Sequence, residues 1–274
     1  MIYFCRHFSK PNVPDIPGLQ NFSGSILHSH FYRVPDNYRD KDVIVLGARS
    51  SGRDIAVEIA SVARTVLLSH RTSPLECVMP ANVTQKPSMK AIDDDGKVIF
   101  EDGSSSSSDA IVFCTGYQFE FPFLDESCNI QVQNSRVSPL YKQIFNINYP
   151  SMAFIGLPSI VCPNQLFSLQ ARWIFNVLSG RTSLPTSHNM LEDEKADLES
   201  KLSAGISEGY FHRFDEGKQW DYYKMVSDLG DVEPMKHVVK KLYMLVGKER
   251  SDNLLTYREV EYRVINDEDF ERVI

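Results

Sequence analysis

Four apolar residues, Val43, Ile44, Val45 and Leu46, stop at Gly47, and the segment Gly47, Ala48, Arg49, Ser50, Ser51, Gly52 leads from them into residues with helical apolar spacing. A short run of this kind reads as a strand buried on both faces within a parallel sheet. Beyond the turn, Ile55, Ile59 and Val62 recur at intervals of four and three, which predicts a helix over residues 54–63. Residues 65–68 supply a second β-branched run. Strand, tight turn, helix and strand within about 30 residues make a βαβ unit and commit this part of the chain to an α/β fold.

In the dinucleotide-binding form of this unit the first glycine makes the tight turn. The second lets the backbone approach a pyrophosphate, and the third lets helix and strand pack closely. Gly47 and Gly52 occupy the first and third positions, while Arg49 stands at the second. Its side chain must therefore point away from the phosphates or offer them guanidinium donors. The helix amino terminus, with Ser50 and Ser51, would present N–H groups and hydroxyls to an anion. About 20 residues further on, an acid would mark an NAD site and an arginine an NADP site. Ser69, His70 and Arg71 stand there, which favours the 2'-phosphate of NADPH. The alternative is a tight turn without a ligand, with Arg71 a surface charge.

The rest of the chain is less patterned. Pro11, Pro14, Pro17 and Gly18 forbid long helices near the start, so residues 1–40 read as a strand end and a loop-rich connector. Val98, Ile99 and Phe100 precede a Glu101, Asp102, Gly103 turn and five serines, 104–108, expected as a solvated loop. Residues 110–114 and 153–157 look like buried strands, and residues 165–178 like a helix. From residue 184 charged helical stretches alternate with aromatics such as Trp220, Tyr222 and Tyr223, which read as core more readily than as substrate contacts.

Composition narrows the function classes. The formal net charge is -7 and Lys and Arg form no long blocks, which argues against nucleic-acid or anionic-membrane binding. Cys5, Cys77, Cys114, Cys128 and Cys162 contain no CxxC pair, which argues against a disulfide framework and a zinc ribbon. No segment approaches the roughly 18 consecutive apolar residues of a membrane span. The expectation is a soluble, cytoplasmic protein. His28 and His30 lack a clustered third ligand, so a hydrogen-bonded structural role is favoured over a metal pair.

Three further stretches carry a family resemblance. Phe22, Gly24, His28 and Tyr32 fit the spacing FxGxxxHxxxY, which resembles the identifying motif of the flavin-containing monooxygenases in its variant ending in Tyr. Phe113, Cys114, Thr115, Gly116 and Tyr117 resemble that family's F-A-T-G-Y segment, although alone they could be a strand running into a turn. Residues 140–157, 170–173 and 219–223 are similar to its carboxyl-terminal half. His7, Phe8 and Ser9 resemble part of a strand end that the family writes C-N-G-H-Y-S, but Cys5 is followed by Arg6 and no equivalent of the Asn is identifiable. The interval from Arg71 to Ala110 is short, as in the compact insect and fungal members. No GxGxxG turn for FAD precedes these motifs.

The resemblance implies an α/β, Rossmann-like NADPH-binding domain joined to the carboxyl-terminal portion of a flavoprotein with two dinucleotide-binding domains. Residues 1–40 are then a remnant of the FAD domain and connector, 41–112 the NADPH domain, and 113–274 the carboxyl-terminal part of the FAD domain. It further implies the cofactors FAD and NADPH, dioxygen, and a small nucleophilic substrate. In an N,N-dimethylaniline-monooxygenase-type reaction an amine nitrogen or sulfide sulfur takes oxygen from a flavin hydroperoxide. Gly47, Arg49, Ser50, Ser51, Gly52 and Arg71 are assigned to NADPH, and Thr115, Gly116 and Gln170 to the flavin side. No catalytic nucleophile or base is expected, because the cofactor carries the chemistry. The competing expectation is a truncated, inactive fragment that binds NADPH alone.

Overall fold

The computed structural model of the chain describes residues 1–4, 9–214 and 217–273. Cys5, Arg6, His7 and Phe8, on which part of the strand-end resemblance rests, lie outside the described residues. The chain divides into two compact units. One comprises Met1–Lys10 and Gln118–Lys240, the other Pro11–Tyr117 and Lys241–Ile274.

In the second unit a five-stranded sheet is built from β1 (Ser25–His28), β2 (Asp42–Leu46), β3 (Thr65–Ser69), β4 (Val83–Lys86) and β5 (Ala110–Phe113). Their spatial order is β1-β5-β2-β3-β4, with every pairing parallel. The helix α1 (Ser50–Ala60) connects β2 to β3. Strand residues alternate between two cores, as the period of two requires. Val43, Val45, Val66, Leu68 and Val112 face α1, where Ile55, Ala56 and Ile59 meet them. Ile44, Ile111 and Phe113 face the other way, against Met89, Ile92, Val98 and Phe100. That second face is covered by an antiparallel sheet of Met89–Ile92, Val98–Phe100 and Ser105–Ser106.

The α/β class and the Rossmann-like sheet are as expected, while two details differ. The serine run is not wholly loop: Ser105 and Ser106 pair with Ile99 and Val98, because a short edge strand needs backbone hydrogen bonds more than apolar side chains. The unit boundaries also lie elsewhere. Residues 25–28 form an edge strand beside β5, so the connector packs within the dinucleotide-type unit, and residues 241–274 pack there too.

The first unit holds a sheet in which Ile2–Phe4 runs parallel to Ala153–Ile155, followed by Phe145–Asn146 and Leu140–Tyr141 in antiparallel pairing. The helices α2 (Pro163–Leu178), α3 (Ser187–Ser203) and α4 (Gln219–Gly230) complete it. Trp173 of α2 is buried edge-on to Phe145, with ring centroids 5.1 Å apart. Gly230 of α4 lies so close to it that a Cβ there would sit 2.7 Å from the Trp173 side chain. The helix pair therefore approaches tightly because one side carries no Cβ. Trp220 packs against this core, and Tyr222 and Tyr223 are buried in it, as the aromatic pattern suggested.

Candidate functional site

The sheet order reverses at β2 and β5, and the crevice beyond the carboxyl ends of such strands is where α/β sheets bind ligands. Two glycines shape it. Gly47 leaves β2 with φ +108°, a region L side chains avoid, and a Cβ on it would lie 2.5 Å from the Cys114 carbonyl oxygen. A Cβ on Gly52 would lie 1.7 Å from the Gly47 carbonyl oxygen, so any side chain there would drive α1 off the strand. Arg49 has φ −80° and an exposed side chain, so the middle position of this turn accepts a side chain without strain. Arg49 precedes α1 without capping it through its side chain, and the first turn carries no acid. Ser50 and Ser51 are exposed there. An exposed amino terminus with uncapped N–H groups and no competing carboxylate in its first turn is suited to an anion.

At the next strand the three candidate residues separate. The Ser69 hydroxyl is buried and donates to the Pro87 carbonyl at 2.7 Å. His70 is buried, in hydrogen bonds with Thr72 at 3.1 Å and Gln85 at 3.0 Å. Arg71 is exposed just beyond the end of β3. Two residues that no sequence pattern marked hold this edge in place. Asn82 donates to the carbonyls of Ala60 and Ala63, closing the end of α1. Gln85 exchanges hydrogen bonds with the backbone of Leu75, tying down the loop that follows Arg71.

Residues 113–117 and the histidine of the FxGxxxHxxxY spacing meet beside β5. The Gly116 carbonyl accepts from the Asn12 N–H at 2.9 Å and from His28 Nε2 at 3.0 Å. The Thr115 hydroxyl donates to the Asn12 carbonyl. His28 Nδ1 accepts from the His30 N–H at 3.1 Å, so the buried ring is neutral with its proton on Nε2. Both ring nitrogens of His28 are thus engaged in hydrogen bonds within the protein. Burial pushes the Cys114 thiol up to about 12, which leaves it unreactive.

Gln170 sits in the other unit, fully buried in α2. Its Oε1 accepts from the Gly156 N–H at 2.9 Å and its Nε2 donates to the Tyr222 hydroxyl at 3.1 Å. Tyr222 in turn donates to the Lys142 carbonyl at 2.7 Å. Both ends of the amide are thus occupied, and the residue braces the exit of the Ala153–Ile155 strand. The side chains of Thr115 and Gln170 are both spent on such braces, whereas Gly116, with φ +83°, has open space where a Cβ would be.

A parallel sheet with this turn at its switch point has the Rossmann-like α/β architecture. The family model for flavin-binding monooxygenase-like proteins matches residues 1–75 and 73–248, and the chain belongs to that family. It is 36% identical over 258 residues to a protein of Arabidopsis thaliana named flavin-containing monooxygenase FMO GS-OX-like 2, covering 92% of this chain and 56% of that one. The structure of S-allyl-L-cysteine S-oxygenase from Allium sativum matches with TM-score 0.87 and 34% identity over 94% of this chain and 60% of its own. That of Tmm from Pelagibacter sp. strain HTCC7211 matches with TM-score 0.79 and 25% identity, over 96% and 59%. The chain spans a little over half the length of these relatives. No helix among the described residues is long and apolar enough to cross a membrane.

The state of His28 gives a pH signature. Burial holds its pKa below the usual 6.5, the charge of His30 lowers it further, and the bond to Gly116 opposes both. The unfolded chain therefore takes up the proton first, and stability is lost as pH falls below about 6.5 towards the folded-state value. His28→Gln should flatten the fall in unfolding free energy between about pH 7 and about pH 5, followed by urea titration. Equal slopes in the two proteins would contradict the assignment.

Proposed function

We propose that the Pro11–Tyr117 and Lys241–Ile274 unit binds NADPH at the 47–52 turn, within an NADPH- and FAD-dependent monooxygenase that oxygenates a soft nucleophile. The observation that carries the reading is the uncapped amino terminus of α1, brought against β2 by Gly52, with Gly47 turning the chain beneath it. Gly47, Arg49, Ser50, Ser51 and Gly52 hold the pyrophosphate through backbone N–H groups and hydroxyls, and the exposed Arg71 takes the 2'-phosphate. Bound there, NADPH supplies the hydride. The chain's own part is to hold the dinucleotide at the switch point of the sheet. Support for FAD comes from the family itself. No step through the flavin is assigned to Thr115, Gly116 or Gln170; the polar side chains of Thr115 and Gln170 are engaged within the protein.

Among soft nucleophiles we favour a sulfide sulfur over an amine nitrogen, because the structural relative at 34% identity is an S-oxygenase. The N,N-dimethylaniline type has no comparable support.

Arg71→Ala should weaken NADPH binding about ten- to a hundredfold and leave NADH binding unchanged, since a charge-assisted contact to a phosphate is worth roughly 1.5–3 kcal/mol. Isothermal titration of both proteins with both nucleotides checks this, and equal NADPH affinities would remove Arg71 from the site. For the oxygenase reading, the 274-residue chain is mixed with FAD and NADPH added without air. Bleaching of the flavin, followed in air by sulfoxide formation from S-allyl-L-cysteine, is the expected result. Persistent yellow colour with intact NADPH binding would reduce the function of this chain to dinucleotide binding.

A further inference from the structure

Residues 71–79 lead the chain away from β3, and among the described residues they make no backbone–backbone hydrogen bond. A loop without its own ladder has to be held by side chains. Here the anchors converge on one amide. Gln85 lies on β4, opposite Leu68 in the pairing with β3. Its Oε1 accepts from the Leu75 N–H at 2.7 Å and its Nε2 donates to the Leu75 carbonyl at 3.0 Å. This reciprocal pair fixes the orientation of the amide, since turning it over would set donor against donor and carbonyl against carbonyl.

The same Oε1 meets His70 Nε2 at 3.0 Å. An amide oxygen only accepts, so the imidazole carries a proton on Nε2, and Nδ1 of the neutral ring accepts from the Thr72 hydroxyl at 3.1 Å. The His70 N–H is itself tied to the Lys86 carbonyl at 3.0 Å. Gln85 therefore holds Leu75 directly and Thr72 through the His70 ring. Arg71 stands between His70 and Thr72, whose side chains are joined across it, and its own side chain is exposed. Leu75 closes the segment by packing against the core that faces α1.

Capture of a phosphate by an arginine on a loose loop costs the ordering of the loop as well as of the side chain, whereas on a braced loop only the side chain remains to be ordered. We propose that Gln85 is a positioning residue of the nucleotide site, which sets the preference for NADPH over NADH by holding residues 70–75 in the conformation that presents Arg71 to the 2'-phosphate. The inference rests on the NADPH reading above and adds to it the residue that makes the arginine selective. Its mark is coupling: Gln85 contributes to binding only while Arg71 is there to be positioned. The 47–52 turn, carried by β2 and α1, takes the pyrophosphate common to both nucleotides and is indifferent to Gln85.

The test titrates NADP+ and NAD+ into the 274-residue chain and its Gln85→Leu, Gln85→Asn, Arg71→Ala and doubly substituted Gln85→Leu/Arg71→Ala variants. Gln85→Leu, which removes the amide, should weaken NADP+ about fivefold and leave NAD+ unchanged, the cost of ordering a short loop on binding. Gln85→Asn keeps the amide on a shorter stem and should shift the preference in the same direction by less. In the Arg71→Ala background, Gln85→Leu should change neither affinity. A loss of NADP+ affinity there as large as in the unsubstituted background would make Gln85 a general brace and overturn the proposal. Equal losses for both nucleotides in both Gln85 variants would overturn it too, as would Gln85→Leu binding both as the unsubstituted chain does. If the unsubstituted chain shows no preference for NADP+, or Arg71→Ala leaves that preference intact, the 2'-phosphate reading falls, and the role of Gln85 falls with it.

Discussion

Helix α1 rests on β2 through a contact that no side chain could occupy. With the Gly47 carbonyl 1.7 Å from where a Cβ on Gly52 would lie, even alanine would have to push the helix away from the sheet. Everything else at the carboxyl edge of this sheet follows from that closeness. It sets the amino terminus of α1 at the reversal of strand order, where its N–H groups face outward rather than into a cap. It also explains why Arg49 is tolerated where the glycine pattern has its second member. The close approach is made by the first and third glycines, and the backbone at residue 49 lies in an ordinary extended conformation.

Around this contact the polar side chains divide into those that hold the frame and those that are exposed at the turn. Ser69, His70, Asn82, Gln85, His28 and Thr115 are committed to carbonyls, amides or one another within the unit. Arg49, Ser50, Ser51 and Arg71 remain exposed. Binding groups held by a braced backbone need little rearrangement to meet a ligand, which lowers the entropic cost of binding. In the other unit, Gln170 and Tyr222 do the same bracing for the strand exit at Gly156.

The βαβ unit was legible because its signals are local. A β-branched run, a glycine turn and helical spacing each lie within a dozen residues, and each constrains the backbone directly. His28 could be read as structural because no further ligands cluster near it in the sequence. What stayed hidden depends on contacts between distant segments. Ser25–His28 looks like connector because a four-residue edge strand amid prolines has no periodicity of its own, and its partner β5 lies 85 residues away in register. The docking of Arg250 and Arg258 on Asp54 spans about two hundred positions, and single charges on a surface helix carry no pattern that would pair them.

The central claim is that a nicotinamide dinucleotide sits with its phosphates on the backbone of the 47–52 turn. Amide chemical shifts of the isotope-labelled chain, recorded while NADP+ is added, read that backbone residue by residue. The largest movements should fall on the N–H groups of Gly47, Arg49, Ser50, Ser51 and Gly52, with a second set at Arg71 that NAD+ does not reproduce. Saturable shifts that leave the 47–52 amides in place would put the nucleotide elsewhere and contradict the assignment.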